Sequence, residues 1–384
     1  MAGEPGRAQH GGGLGHGRSD GAVAPGGTGR SAIGWRRGDT VALAAAVAAS
    51  LAATGAAASG MGAVGGFIVQ ATALACLAAL VSRTVEQLGL RWSPAATGIV
   101  QATVGNLPEL LFGIFALRAG LTSVVQAALV GSVLANVLLV LGLSFTVGGL
   151  RHGTQRFVAA DARTSAVLLL VAASVVAVPS VTALAHTPAA AHEHALSDVA
   201  SVVLLVAYAA ALVASLRSSG GSGPRLVPEG AWPVSLALGV LVAGAGAATL
   251  VSEWLVSDLR PAIHLLGMSS TFAGVVVVAI AGNAVEHVGG VVLAAKDRTD
   301  HALAVILQSP IQVLLGVFPL LVLLGPVLGG GLTLALPTLL LIGLAVGSVV
   351  TVAVVVDGES TWLEGLCLMG LYIVVAAAAW WHVG

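Results

Sequence analysis

Two short motifs place a glutamate in surroundings that are otherwise apolar. Gly105-Asn106-Leu-Pro-Glu109 is echoed by Gly282-Asn283-Ala-Val-Glu286 at an offset of 177 residues, and both motifs lie in long, nearly uncharged stretches. A carboxylate at the centre of a membrane costs roughly 2.5–3.5 kcal/mol, so such a residue faces a cation, a proton or an aqueous cavity. A protonated glutamate hydrogen-bonded between helices is the alternative, but it does not explain two matched copies. The two glutamates are therefore candidate functional residues.

The residues beside these glutamates offer further oxygen ligands. Asn106 and Asn283 carry amide oxygens, while the glycines and Pro108 weaken the helix and free backbone carbonyls. Such hard oxygen ligands suit calcium, which takes about six to eight of them, better than zinc or copper, which favour His and Cys. When the cation leaves, two nearby carboxylates cannot both stay ionised, and protons neutralise them. Glu109 and Glu286 are thus the predicted metal ligands, and calcium and protons the predicted partners.

The similarity continues beyond the motifs without a gap. At the same offset Gly113 matches Gly290, Thr122 matches Thr299, and Ser132 matches Ser309. The spans that follow the two glutamates supply four secondary candidates for cation or proton binding, and we expect Pro310 to open the second of these helices. Polar residues in membranes also serve as interhelical hydrogen-bond partners, so both interpretations stand. The four candidates are Ser132, Asn136, Ser309 and Gln312.

Composition identifies the medium in which these motifs lie. The chain has 384 residues, of which 57% are hydrophobic and 9% charged, whereas soluble domains carry about 25% charged residues. Stretches of about 20 apolar residues, each long enough to cross a bilayer, recur along the chain. The sequence therefore predicts an all-α integral membrane protein with eleven spans near residues 40–58, 62–82, 96–117, 120–147, 158–180, 196–216, 231–256, 266–295, 300–325, 331–356 and 360–381.

Charge placement gives these spans an orientation. With the N-terminus in the cytoplasm, 14 of the 16 lysines and arginines fall on the cytoplasmic side, as short cytoplasmic loops require, and only Arg118 and Arg260 fall outside. The first motif lies on the third span and the second on the eighth, so an odd number of spans separates them. The two copies are therefore predicted to be inverted, as in many secondary transporters. The chain has no dense basic stripe, so no nucleic-acid partner is expected.

Both repeats resemble those of a known family, the calcium/cation antiporters, and within it the calcium/proton exchanger branch. The segments that carry the resemblance begin GNLPELLFGIF and GNAVEHVGGVV, the second including the Glu286-His287 pair. The resemblance implies alternating access, with Glu109 and Glu286 binding calcium or protons and no cofactor. Asn106 and Asn283 match the motif asparagines, and Ser309 and Gln312 match the polar residues of the second companion helix.

The resemblance also implies the domain organisation, with one extra N-terminal helix before two inverted five-helix repeats. The expected parts are a disordered, Gly-rich cytoplasmic tail over 1–36, the extra helix over 37–60, the first repeat over 61–217, a cytoplasmic linker over 218–230 and the second repeat over 231–384. The expected location is the plasma membrane, which the chain crosses many times with its N-terminus in the cytoplasm. Whether the chain forms a homo-oligomer is left open by the sequence.

Two departures from the family pattern leave the cation open. Gln308 stands where a small residue usually precedes the serine, and Pro310 replaces a small polar residue. Both bear on ion selectivity, so exchange of sodium or potassium for protons, or of sodium for calcium, stays an alternative. An intramembrane hydrolase is the alternative outside transport. It needs a nucleophile or a motif such as His-Glu-x-x-His, and neither is present, so no enzyme activity is expected.

Overall fold

A computed structural model describes residues 37–90, 105–218 and 231–382, and in these ranges the chain is almost entirely helical. The predicted tail over 1–36 and residues 219–230 of the predicted linker lie outside the described residues. The only strands in the described ranges are β1 (Gln155–Arg156) and β2 (Glu359–Ser360), which pair antiparallel.

The helices up to residue 218 include one continuous long span. Residues 91–104, just before the first motif, lie outside the described residues. The span over Thr122–His152 runs on through a π-helical turn at Ala135–Val140. The helices are α1 (Arg37–Ser59), α2 (Ala63–Gly89), α3 (Leu107–Arg118), α4 (Thr122–Leu134), α5 (Leu141–His152), α6 (Ala159–Leu184) and α7 (Glu193–Ser218), with a 3₁₀ turn at Pro188–His192.

The helices after residue 231 include a span that is broken between Gly282 and Glu286. They also include a second long span with a π-helical turn, at Val313–Val317. The helices are α8 (Val234–Leu266), α9 (Ser270–Phe272) with a π-helical turn at Ala273–Val278, α10 (Ala279–Gly282), α11 (Ala284–Ala294), α12 (Thr299–Gln312), α13 (Phe318–Leu328), α14 (Thr338–Val355) and α15 (Trp362–Trp380).

The predicted all-helical membrane architecture is confirmed. Within the described ranges nine helices are long and apolar enough to cross a membrane, and the broken pair Ser270–Gly282 and Glu286–Ala294 makes a tenth candidate span. These ten correspond to ten of the eleven predicted segments. The remaining segment, over 96–117, lies partly outside the described residues, and its described part is α3.

The two long spans that follow the glutamates form the centre of the molecule. In the most apolar stretch of Thr122–His152, 94% of the residues are buried inside the protein, compared with 17% for α1. Small residues allow the close packing at this centre. A Cβ atom on Gly131 would come within 2.4 Å of the Val275 backbone, and one on Gly274 within 2.5 Å of Ala127. The backbone of α4 therefore crosses that of the broken span in direct contact.

Two connections tie distant parts of the chain together. Loop residues 329–337 are held by Gln126, which donates to the carbonyls of Thr333 and Ala335, and by Ser180, which donates to the carbonyl of Leu334. In the other connection, Gln155 of β1 donates to the Ala294 carbonyl at the end of α11. Because such buried polar groups must be paired, these bonds fix the loops against the helices.

Candidate functional site

Each candidate glutamate lies in the first turn of a helix. Asn106 is the N-cap residue of α3, with φ −99° and ψ 20°. Asn283 is the N-cap residue of α11, with φ −106° and ψ 11°. The broken span bends by 68°. The predicted helix break is confirmed there, whereas the residues before the first motif lie outside the described ranges. Glu109 is the third residue of its helix, and Pro108 at the helix start favours initiation at that point.

The helix N-termini bear on the charge of the site. The first backbone N–H groups of a helix have no partner within the helix, and the helix dipole places partial positive charge there. Glu109 and Glu286 both stand in such a first turn. Two helix ends of positive sign therefore converge on two carboxylates, and this arrangement stabilises negative charge at the place where a cation would bind.

Glu109 and Glu286 line the same small cavity. Gly105, Gly282 and Asn283 also line it, and its volume is about 20 Å³, close to the space that one water molecule requires. A Cβ atom on Gly282 would lie 3.7 Å from Oε1 of Glu109, so this glycine packs directly against the carboxylate. The structure brings the two predicted glutamates together around a space of the size of a single small ion.

The glutamates offer free oxygen ligands to this space. Oε2 of Glu109 and Oε2 of Glu286 are both buried without a hydrogen-bond partner in the protein. A buried acceptor without a partner is costly, and either a cation or a proton on the carboxylate removes that cost. The donor set therefore fits a hard cation that competes with protons.

Asn283 links the second motif to both companion helices. Its Nδ2 donates to Oγ of Ser132 at 2.9 Å and to the carbonyl of Ala279 at 3.1 Å. Its Oδ1 accepts from Oγ of Ser309 at 3.4 Å, and the same hydroxyl also approaches Glu286. Ser132 belongs to the first repeat and Asn283 to the second, so this amide joins the two repeats next to the cavity.

The asparagine of the first motif also bonds to the opposite repeat, but its partner is a glutamine rather than a serine. Nδ2 of Asn106 donates to Oε1 of Gln312 at 2.5 Å, whereas Oδ1 of Asn106 is buried without a partner. Asn136 donates to the carbonyl of Ser132 at 3.0 Å and to Oγ of Ser309 at 3.5 Å. Six of the eight residues predicted for cation or proton binding thus lie in one polar cluster around the two glutamates, whereas Asn106 and Gln312 bond to each other and line a separate cavity. Their individual roles stay predictions.

Three other polar residues near the two motifs do not line the cavity. Gln126 is used to hold the loop 329–337, and the side chain of Gln308 is exposed rather than directed to the cluster. His287 is buried, with Nε2 unpartnered, but does not line the cavity. The exposed position of Gln308 argues against the direct influence on ion selectivity that its unusual place in the motif suggests.

Pro310 does not open its helix, contrary to the sequence-based expectation. Helix α12 runs through Pro310 to Gln312 and is followed at once by the π-helical turn. The first repeat has Val133 at the equivalent position, yet a π-helical turn follows there as well. Since both repeats have the π-helical turn and only one has the proline, the turn is a feature of the repeat and is not caused by Pro310.

One wall of the cavity comes from residues that no motif indicates. Ala78, Val81 and Ser82 of α2 line it opposite the two motifs. Ser82 adds a hydroxyl to the lining, but a single serine in an apolar segment gives no signal in the sequence. Only the packing of α2 against α3, α10 and α11 reveals its position.

Comparison with known proteins agrees with this geometry. The model of the sodium/calcium exchanger protein family matches residues 62–217 and 236–381, which together include both glutamate motifs and most of the chain. The chain belongs to the sodium/calcium exchanger family. As a member it is a membrane transporter and not an enzyme, so the hydrolase alternative is wrong.

Curated members of the family align over most of the chain. A protein named Ca(2+)/H(+) antiporter from Aphanothece halophytica is 32% identical over 342 residues, which cover 82% of this chain and 90% of that protein. The Ca(2+)/H(+) antiporter ChaA of Bacillus subtilis is 33% identical and covers 81% of this chain and 90% of its own. A vacuolar calcium ion transporter of Schizosaccharomyces pombe is 31% identical and covers 82% of this chain and 79% of its own.

Solved structures share the fold. The structure of native YfkE aligns with a TM-score of 0.75 at 31% identity, covering 89% of this chain and 99% of that chain. A structure of the H+/Ca2+ exchanger CAX aligns with a TM-score of 0.71 over 89% of this chain and 92% of that one. Its identity is 13%, so it supports the exchanger-family fold alone.

Proposed function

We propose that the chain exchanges cytoplasmic calcium for external protons by alternating access. The observation that carries the proposal is the single cavity lined by Glu109 and Glu286, in which each carboxylate has one buried, unpartnered oxygen. Relatives that cover most of the chain are named Ca(2+)/H(+) antiporters, which supports the same choice of ions.

The two glutamates act as shared ligands for calcium or protons. Calcium binds the carboxylates together with amide and hydroxyl oxygens of the neighbouring cluster, as its preference for flexible oxygen coordination requires. Once calcium has left, mutual repulsion and burial favour protonation of the pair. Because one site holds either the cation or the protons, each direction of movement through the membrane carries a different ion.

The asparagines, serines and Gln312 complete the site in this proposal. Asn106 and Asn136 each have a buried Oδ1 without a partner, so both amides have an oxygen to offer. Ser132, Asn283 and Ser309 form a hydrogen-bonded chain beside Glu286. Gln312 holds Asn106, and Asn106 in turn begins the helix that carries Glu109.

The membrane and the orientation are part of the same proposal. The distribution of arginine and lysine favours a cytoplasmic N-terminus, with the parts bounded at 37–60, 61–217 and 231–384. The plasma membrane is the proposed location, although the relatives include vacuolar transporters. In that membrane the exchange would export calcium from the cytoplasm.

Exchange of sodium or potassium for protons is the competing function, and sodium/calcium exchange is a further variant of it. Proteoliposomes that contain the wild-type chain and a proton gradient distinguish them. Calcium should collapse the gradient, whereas sodium and potassium at equal ionic strength should not. If sodium or potassium collapses it and calcium does not, the cation assigned here is wrong.

A further inference from the structure

A hydrogen-bonded carboxylate and amide join α2 to α8 outside the site described above. Nε2 of Gln70 donates to Oδ2 of Asp258 at 2.8 Å. Gln70 is only 1% exposed, and its Oε1 is buried without a partner. Asp258 is half-buried, so its carboxylate is held on one side by α2 and reaches the surface on the other.

A glycine makes room for this carboxylate. A Cβ atom on Gly66 would lie 2.3 Å from Oδ2 of Asp258, a distance that no side chain tolerates. Asp258 is therefore seated in a notch of α2, with Gly66 below it and Gln70 beside it. The notch holds the carboxylate of Asp258 in one position, whereas the carboxylate of an ordinary surface aspartate rotates freely.

The position of the notch relates it to Glu109. Leu74 follows Gln70 by one helical turn on α2, and Leu255 precedes Asp258 by one turn on α8. Both leucines line an apolar cavity that contains Glu109 and extends past Phe112 and Gly113 along α3. Asp258 is thus one helical turn beyond the wall of this cavity, at the end of the molecule that the arginine distribution assigns to the outside.

An interhelical hydrogen bond alone does not account for the charge. Gln70 needs only a neutral acceptor, which an asparagine would supply equally well. In the ranges that the structure describes, no lysine, arginine or histidine forms an ion pair with Asp258. A fixed carboxylate without a counter-charge attracts cations and raises their local concentration.

We propose that Asp258, seated by Gly66 and Gln70, is an outer cation station between the external solution and the cavity of Glu109. This inference rests on the proposed exchange of calcium, and it adds a third carboxylate to the path of the ion. Asp258 binds the hydrated cation transiently. Gln70 is a positioning residue, because it acts only by holding the carboxylate.

The test compares Asp258→Asn with the wild type from each side of the membrane. The asparagine keeps an acceptor for Gln70 and removes only the charge. Initial rates of exchange are measured against calcium concentration in vesicles of both orientations. The KM for calcium presented at the outer face should rise about two- to five-fold, as expected for the loss of one exposed charge interaction, while the KM at the other face and the maximal rate stay unchanged.

Two further variants sharpen the result. Glu253→Gln removes an exposed charge from the same helix and should change neither KM. Gly66→Ala displaces the carboxylate of Asp258 from its notch and should also raise the KM for calcium at the outer face only. Agreement between the two variants would show that the effect does not come from a defect caused by the new asparagine. Thermal unfolding in detergent verifies that all variants are folded.

The outcomes separate this inference from the proposed function. If Asp258→Asn matches the wild type on both faces, or lowers the rate equally from both, Asp258 is only a hydrogen-bond acceptor and the inference is overturned. If the wild type exchanges no calcium, the proposed function fails. The same two KM values are then measured with the cation that it does exchange, and equal values for Asp258→Asn and the wild type overturn the station independently.

Discussion

Asn283 of the second repeat donates a hydrogen bond to Ser132 of the first at 2.9 Å, directly beside the cavity of the two glutamates. The two residues are 151 positions apart in the chain, yet each belongs to a motif that the other repeat also contains. The bond places the cavity at the crossing of the repeats. Movement of one repeat against the other would therefore change the site itself.

Ser132→Ala should weaken cation binding without unfolding the protein. The substitution removes one acceptor of the Asn283 amide, so that Nδ2 of Asn283 donates only to the Ala279 carbonyl. A hydrogen bond of this kind contributes about 1 kcal/mol, equivalent to about a five-fold rise in the KM for calcium. Ser174→Ala is the matched control, since that exposed serine bonds only to a carbonyl of its own helix. Equal KM values for the two variants would contradict the role given to Ser132.

Gly131→Ala should destabilise the fold, because the new Cβ atom meets the Val275 backbone rather than a flexible side chain. Overpacking of this kind costs about 1–3 kcal/mol. Gly239→Ala is the control, since its Cβ atom meets nothing within 4 Å and alanine favours a helix over glycine. Melting temperatures in detergent should fall for the first variant and stay or rise for the second. A stable Gly131→Ala would mean that α4 and the broken span are less tightly packed than described.

Pro310→Ala should leave calcium exchange and its selectivity over sodium unchanged. The π-helical turn that follows also occurs in the first repeat, where Val133 replaces the proline. Rates with calcium and with sodium as the driving cation provide the measurement. A change in the ratio of the two rates would show that Pro310 affects selectivity through a route other than the turn.

The sequence allowed the helical segments and the paired motifs to be predicted because their signals are local. Long apolar runs reveal spans, and an intramembrane glutamate with a Gly-Asn prefix is conspicuous in such a run. Contacts across the repeats were predictable only in outline. The offset of 177 residues pairs Ser132 with Ser309, but it does not indicate that Asn283 bonds to Ser132 while Asn106 bonds to Gln312.

Other features depend on packing that leaves no trace in the sequence. Ser82 reaches the cavity only because α2 packs against α3, α10 and α11. The position of Asp258 depends on the absence of a side chain at Gly66. The predictions for Pro310 and Gln308 rested only on their departure from the family pattern. That departure does not show where a side chain lies. Gln308 is exposed, and the helix continues through Pro310.

The central claim is that Glu109 and Glu286 together bind the exchanged ions. Its most direct test is calcium-driven proton movement in proteoliposomes that contain the wild type, Glu109→Gln, Glu286→Gln or Glu86→Gln. Glutamine keeps the size and removes the charge. Glu86 is a matched control, because it pairs with Arg83 at the surface and its side chain is 62% exposed.

The account predicts that calcium moves protons in the wild type and in Glu86→Gln, and that neither Glu109→Gln nor Glu286→Gln supports any exchange, because a single carboxylate cannot bind both a divalent cation and the protons that replace it. Exchange at the wild-type rate in either of these two variants would contradict the shared site.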